Sequence, residues 1–288
     1  MEKAFQNFNK MKSPIKYYGG KGGMFNHILD RFPSDFGKET RTANDGSADI
    51  YMEPFGGSAT VLFKKKPSPI EIYNDLDHNV YSLFKVLSDD DLFKKFKDKC
   101  ALSYYSREIF REFVLSLRTE KMDILERAFR FFYVNRVAYN GVGGFSCNVS
   151  AVRRGMSKSV SDMLSTIDYL PEVHTRLKSV IIENRDAIEL IKKYDKSTAL
   201  FYLDPPYHHS TRTTARYDID MTNEKQEELV ETLLNLKYAR VLMSGYVCNL
   251  YSKLERDGWK RVDLEIKTQT AKREKKTKVE SLWLNYDI

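Results

Sequence analysis

Ala199-Leu200-Phe201-Tyr202-Leu203 runs apolar without a break and ends at Asp204-Pro205-Pro206-Tyr207. A strand with one wet face alternates apolar and polar residues. This run does not alternate, so it predicts a strand covered on both faces, as at the centre of a parallel sheet. Parallel neighbours cannot be joined by a tight hairpin; they need crossovers of a dozen residues or more, usually helical. The chain supplies such crossovers. Ile50 to Glu53 predicts a short strand, stopped by Pro54-Phe55-Gly56-Gly57-Ser58. A helix from Ala59 to Phe63, a turn at Pro67 to Pro69 and a strand from Ile70 to Asn74, ending at Asp75, follow. That is a βαβ unit. A helix is expected before it, from Met24 to Phe32, and after it, from Asp77 to Leu87. Further on, Val180 to Glu183 and Arg240 to Ser244 read as strands. Ala187 to Tyr194, Asn223 to Leu236 (with Thr222 as N-cap) and Cys248 to Asp257 read as helices. Trp259 to Lys267 and Val279 to Tyr286 read as two late strands around the basic stretch Lys272 to Lys278. The fold class is α/β.

The middle of the chain breaks this rhythm. From Val80 to about Leu177 the pattern is helical, with no strand alternation; Met122 to Tyr133 carries apolar residues at helical spacing. A Gly-, Ser- and Arg-containing segment, 139–161, interrupts it. Val160 to Leu170 predicts a helix, and Pro171 restarts one through Leu177. Residues 80–177 therefore read as an insert in a frame made of 1–79 and 178–288. A length of 288 residues accommodates both parts. The balance of 47 Lys+Arg against 40 Asp+Glu, a net +7, permits a polyanionic partner without demanding one. Other classes drop out. Three scattered cysteines (Cys100, Cys147, Cys248) give neither a disulfide framework nor a CxxC zinc site, and suit a reducing cytoplasm. Five histidines without HExxH raise no expectation of a metal. No uncharged run approaches the ~20 residues of a membrane span, and the N-terminus lacks the apolar core of a signal peptide.

Three motifs carry chemistry. Two prolines in succession fix φ twice and remove two backbone N–H groups, so Pro205 and Pro206 make a rigid shelf whose carbonyls are acceptors. Asp204 adds a carboxylate acceptor and Tyr207 a flat aromatic face. Such a shelf suits a planar ring carrying an exocyclic amino group; a plain strand end plugged by an aromatic is the competing reading. In the second motif, Glu53-Pro54-Phe55-Gly56-Gly57-Ser58-Ala59, glycines after a strand let backbone approach a ligand closely. Asp75 stands 22 positions after Glu53, close to the spacing of the acidic residue that bonds a ribose in nucleoside-binding folds. With no GxGxxG, a nucleoside without a pyrophosphate fits better, and S-adenosylmethionine is one. An ordinary βα turn is the alternative. The third motif, Lys16-Tyr17-Tyr18-Gly19-Gly20-Lys21, is not a phosphate loop: Ile15 occupies the first glycine's place and Gly22 follows the lysine.

Together these residues resemble the Dam-type (D12 class) DNA adenine N6-methyltransferases, phage and mobile-element members above all. The resemblance covers nearly the whole chain. It runs through Tyr18-Gly19-Gly20-Lys21, Glu53 to Ser58, Asp75 and the Phe131 to Arg136 run with Tyr139-Asn140-Gly141. It continues through Asp186 and Asp204 to Tyr207 to the closing Leu282-Trp283-Leu284-Asn285-Tyr286, in the family's order. It implies a Rossmann-like S-adenosylmethionine-dependent methyltransferase sheet with an inserted, mostly helical target-recognition domain. It implies methyl transfer to adenine N6 in double-stranded DNA, on a base flipped out of the helix. By the same resemblance Tyr17 and Lys21 contact the cofactor, and Glu53, Phe55 and Gly56 line its pocket, which Asp204 also borders. Asp75 bonds the ribose hydroxyls and Asp186 the adenine amino group. Asp204 and the Pro205 carbonyl then hold the target N6, on the shelf that Pro206 continues, and Tyr207 stacks on the ring. No metal is required.

Lys16, Arg136, Tyr139, Asn140, Arg153, Arg154, Lys158 and Arg212 are the candidate DNA contacts. Arginine bonds guanine or grips phosphates. Any one of these cations is more often a solvated surface residue, but grouped on a Gly- and Ser-rich segment they favour nucleic acid. Gly144 stands where GATC-specific members carry a base-reading arginine, so GATC is not the expected site. The basic loop His208 to Asp218 is expected to close over the substrates, with no acid/base role for His208 or His209. The setting implied is the cytoplasm of a bacterium or phage-infected host. A restriction nuclease partner has no motif on this chain. Two other readings compete: the same chemistry on RNA adenine or a glutamine amide, and a non-catalytic DNA-binding relative. Glutamine-modifying enzymes usually place Asn before Pro-Pro-Tyr, and intact Asp75, Asp204 and Tyr207 argue against a decayed site.

Overall fold

A computed structural model describes residues 10–17, 20–37, 48–207, 221–267 and 277–288. Tyr18, Gly19, the loop 208–218 with Arg212 and its two histidines, and residues 272–276 lie outside the described residues. Within them the chain runs α1 (Phe25–Leu29), β1 (Ile50–Glu53), α2 (Thr60–Lys64), β2 (Ile70–Asn74), α3 (His78–Ser88) and α4 (Asp90–Ala101). Next come α5 (Arg107–Thr119), α6 (Ile124–Val137), β3 (Val152–Arg153), β4 (Met156–Ser157), α7 (Lys158–Leu177), β5 (Val180–Glu183) and α8 (Ala187–Lys193). Last come β6 (Ala199–Leu203), α9 (Asn223–Leu234), β7 (Arg240–Gly245), α10 (Ser252–Arg256), β8 (Lys260–Lys267) and β9 (Thr277–Leu284). The elements fall into two compact units. One comprises Gly22–Gly56, Lys65–Asp77 and Glu183–Ile288; the other comprises Met1–Lys21, Gly57–Lys64 and His78–Ile182.

The first unit is built on six strands of a mostly parallel seven-stranded sheet in the order β5-β2-β1-β6-β7-β9-β8; of β5 only Glu183 falls within it. β1 pairs parallel with β2 and β6, and β6 parallel with β7. β9 runs antiparallel to both of its neighbours, which returns β8 to the direction of β7. The apolar run Ala199–Leu203 is the central strand its pattern demanded, and all five residues are buried. Phe201 and Leu203 pack with Met52, Ile72, Val241 and Met243 from the sheet and with Leu229, Val230 and Leu233 from α9. Each fully buried side chain of this size contributes roughly 1.5–3 kcal/mol. Thr222 caps α9 by accepting the Lys225 N–H at 3.3 Å. The last helix before the late strands is shorter than its pattern, Ser252–Arg256, preceded by a turn.

The second unit is mostly helical. Asp89, Ser106 and Asp123 cap α4, α5 and α6 through backbone N–H groups, each cap worth about 1 kcal/mol. Aromatic rings fill its centre: Phe96 meets Phe132 at 5.5 Å, and Phe113 meets Tyr133 at 5.3 Å. Two details depart from the sequence pattern. Pro171 does not restart a helix; α7 runs unbroken from Lys158 to Leu177 with the proline inside. An interior proline costs about 3 kcal/mol. Met163, Ile167 and Leu170 before it and Val173 and Leu177 after it are buried, and their packing offsets that cost. The block also contains a small antiparallel hairpin, β3 with β4. Its two turn residues, Arg154 (φ 55°) and Gly155 (φ 74°), both take positive φ, as a two-residue hairpin turn requires. Two-residue strands are too short to leave a period in the sequence.

Candidate active site

From β1 the chain passes to β2 on one side and later to β6 on the other, so the strand order reverses at the β1–β6 pair. In open α/β sheets, ligands bind beyond the carboxyl ends of the strands at such a switch point. Four carboxylates of the first unit stand there: Glu53 closes β1, Asp75 follows β2, Asp186 follows β5 and Asp204 follows β6. Glu53 and Asp75 are buried. The Tyr51 hydroxyl donates to Glu53 Oε1 at 2.7 Å; burial first, then the Glu53 charge, push that phenol well above its ordinary value, which keeps it a donor. Asp75 turns its Oδ1 onto the Asp77 N–H at 2.8 Å, and its own N–H donates to the Glu183 carbonyl at 3.4 Å. Asp186 caps α8 through the Ile188 N–H at 2.8 Å and receives Lys225 Nζ at 3.2 Å. Partial burial alone would raise its carboxyl. The Ile188 N–H and the Lys225 ammonium outweigh it and hold the group below its ordinary value.

One residue that the motifs did not single out ties these ends together. Asn74, fully buried, donates its amide to the Pro54 carbonyl at 2.8 Å and to the Arg185 carbonyl at 3.0 Å, and accepts the Arg185 N–H at 2.8 Å. Its backbone carbonyl also accepts the Gly56 N–H at 2.8 Å. A side chain on Gly56 would run into the Tyr73 ring, so glycine there is a packing requirement of this turn.

The Asp204–Tyr207 shelf is fixed on three sides. Ser244 Oγ, at the end of β7, donates to Asp204 Oδ1 at 2.9 Å, and the Tyr202 hydroxyl lies 3.2 Å from the same Oγ. The Gln226 amide donates to the Pro206 carbonyl at 2.5 Å. The Tyr207 hydroxyl donates to Glu280 Oε1 on β9, and its ring meets Tyr246 edge-on at 4.8 Å. Burial first, then the Asp204 and Glu280 charges, push the Tyr207 phenol well up, so it stays protonated. Among the described residues, none donates to the Pro205 carbonyl. Ser244, Gln226 and Glu280 were not found from sequence. Gln226 had a signal: it occupies the apolar face of α9 with Leu229, Val230 and Leu233, where a polar residue needs a partner.

The remaining candidates lie in the second unit. Asn135 binds the Lys16 backbone twice, accepting its N–H at 2.8 Å and donating to its carbonyl at 2.7 Å. Lys16 Nζ donates to the Arg136 carbonyl at 3.3 Å. Lys21 is buried, and the Gly20 N–H closes a turn onto the Tyr17 carbonyl at 3.1 Å. Arg153 and Lys158 both pair with Asp162, while Arg154 bonds Ser161 and Ser165. Tyr139 and Asn140 are exposed, Asn140 at φ 52°.

The profile of the D12 class N6 adenine-specific DNA methyltransferases matches residues 17–274. The chain belongs to this family. As a D12 class methyltransferase it is an enzyme that transfers a methyl group to adenine N6 in DNA. It is 23% identical over 209 residues to the type II methyltransferase M.CviBI of Paramecium bursaria Chlorella virus NC1A, covering 68% of this chain and 69% of the viral protein. It is 24% identical over 221 residues to the type II methyltransferase M1.LlaDCHI of Lactococcus lactis subsp. cremoris, covering 69% and 67%. Methyltransferases of this family use S-adenosylmethionine. The donor set fits such a ligand: buried Glu53 and Asp75 are acceptors suited to a cationic amino acid and a ribose diol. No described helix is long and apolar enough to cross a membrane.

Proposed function

We propose that this D12 class methyltransferase holds S-adenosylmethionine against Glu53, Phe55, Gly56, Asp75 and Asp186, and receives a flipped adenine on Asp204, Pro205, Pro206 and Tyr207. Tyr17 and Lys21 join the cofactor set on the strength of the family motif. When bound, S-adenosylmethionine supplies an electrophilic methyl group. The observation that carries the reading is the shelf itself: an oriented carboxylate followed by a carbonyl to which no described residue donates.

The lone pair of an adenine amino nitrogen is delocalised into the ring, which makes it a poor nucleophile. Asp204 and the Pro205 carbonyl each accept a hydrogen bond from the amino group and localise the lone pair on nitrogen for the incoming methyl group; the N6 proton made surplus by the new N–C bond leaves through water. The Asp204 charge offsets the positive charge developing there. The Tyr207 hydroxyl is committed to Glu280, so its ring face, not its proton, serves the base. Stacking on it offsets about 1–3 kcal/mol of the lost base stacking. The helical unit is the target-recognition part, with Lys16, Arg136, Tyr139, Asn140, Arg153 and Arg154 toward double-stranded DNA; Arg212, outside the described residues, joins them on the strength of the sequence alone. The names of both relatives support a type II modification role; the same reading sets the enzyme in the cytoplasm, with any restriction nuclease on another chain.

The test is transfer of labelled methyl groups from S-adenosylmethionine to unmethylated genomic DNA. Asp204→Ala should lower incorporation by about 10²–10³-fold or more with an unchanged melting temperature. Unaltered incorporation would overturn the site assignment. Transfer to RNA but to no DNA would redirect the reading to an RNA substrate.

A further inference from the structure

The two prolines offer two carbonyls, and the chain treats them differently. Pro206's is satisfied by Gln226 Nε2 at 2.5 Å. Gln226 is fully buried in α9, and its other end, Oε1, accepts the Tyr251 hydroxyl at 2.9 Å. These partners fix which way the amide faces. A carbonyl can only accept, so the group turned toward Pro206 must be the NH₂. Tyr251 then donates to the oxygen left over. The reverse orientation would set two carbonyl oxygens against each other in a buried site.

We propose that Gln226 is a positioning residue for methyl transfer, acting through the shelf. By occupying the Pro206 carbonyl it leaves the Pro205 carbonyl as the backbone acceptor for the adenine amino group, and it holds the Pro206–Tyr207 peptide, the next one along the shelf, in one orientation. Tyr251 holds Gln226. The proposal rests on the reading of Asp204 and Pro205 as the N6 acceptors. Its physical basis is that reactive geometry tolerates little error: a shift of about 1 Å away from the chemistry can cost roughly 10²-fold in rate. Gln226 touches no substrate, so its removal should act on the rate of transfer rather than on cofactor binding.

The experiment is single-turnover methyl transfer to unmethylated genomic DNA at saturating enzyme and cofactor, with the Kd for S-adenosylmethionine measured alongside. Gln226→Leu should slow transfer by about 10- to 100-fold and leave the Kd within about twofold. Tyr251→Phe should slow it severalfold. The double variant should be no slower than Gln226→Leu alone, because both changes break one relay. A residue that only stabilised the fold would lower the melting temperature and leave the rate per folded enzyme intact. Rates within twofold of wild type in both single variants would overturn the proposal. If Gln226→Leu does not fold, Tyr251→Phe decides alone, on the same criterion. Asp204→Ala, run in parallel, separates the two ideas. If it still transfers methyl groups, the site reading falls; if it is dead while the Gln226 and Tyr251 variants are normal, only the positioning role falls.

Discussion

Ser244 has one proton and three oxygen neighbours: Asp204 Oδ1 at 2.9 Å, the Leu203 carbonyl at 3.3 Å and the Tyr202 hydroxyl at 3.2 Å. The nearest and only charged acceptor, Asp204, takes the proton. Tyr202 then donates to Ser244, and its phenol is pushed well up by burial first and by Asp204 second, so its own proton is secure. Ser244→Ala should therefore slow methyl transfer by about 10- to 100-fold, since a hydrogen bond to a charged group contributes about 1.5–3 kcal/mol. Single-turnover rates at saturating cofactor would show it; a wild-type rate would remove Ser244 from the machinery. Residues of this kind mark how far the sequence could be read. Asp204 and Tyr207 announce themselves by type and by their place after a buried strand. Ser244 and Glu280 sit on strands far along the chain, and only the strand order, β6 beside β7 and β7 beside β9, brings them to the shelf.

The same limit shows among the elements. Strand positions β1, β2, β5 and β6 were legible to the residue, β6 because a covered strand writes a continuous apolar run and the others because a short stretch rich in Ile, Val and Tyr is ended by a turn signal. The β3–β4 hairpin and the unbroken α7 were not. The first is too short for a period, and in the second tertiary burial overrides the local cost of Pro171. Asn74 lies between these cases: visible as a strand's last residue, silent about its three partners. Its amide joins the turn after β1 to the loop before α8, so it acts on the elements that carry Glu53, Asp75 and Asp186. Asn74→Ala leaves the Pro54 carbonyl, the Arg185 carbonyl and the Arg185 N–H unsatisfied. The expected loss is about 3 kcal/mol of stability, together with weaker S-adenosylmethionine binding. Thermal melting and calorimetric titration measure the two. An unchanged melting temperature would mean that the loops are held by something else.

For the whole molecule the relevant quantity is charge. A net +7 over 288 residues is modest for a protein that works on DNA. The helical unit nevertheless gathers cations around a single carboxylate. Asp162 pairs with Arg153 at 3.1 Å and with Lys158 at 2.5 Å. Partial burial alone would raise its carboxyl, but Lys158 and Arg153 outweigh that and hold it below its ordinary value. Lys16 and Arg136 feel the same carboxylate. Burial, and for Lys16 then the Arg136 charge, lowers both, while Asp162 works in the opposite sense. Asp162 thus partly masks the cations that the sequence nominated for DNA, and a phosphate arriving there must compete with it. Asp162→Asn keeps the side chain's shape and removes the competitor. It should tighten nonspecific binding to duplex DNA by roughly three- to tenfold at low salt, with the gain shrinking as salt screens the site. Fluorescence anisotropy across a salt series would report both. Equal affinities for wild type and variant at low salt would mean that Arg153, Lys158, Lys16 and Arg136 do not face the phosphates, and the DNA surface of this unit would have to be sought elsewhere.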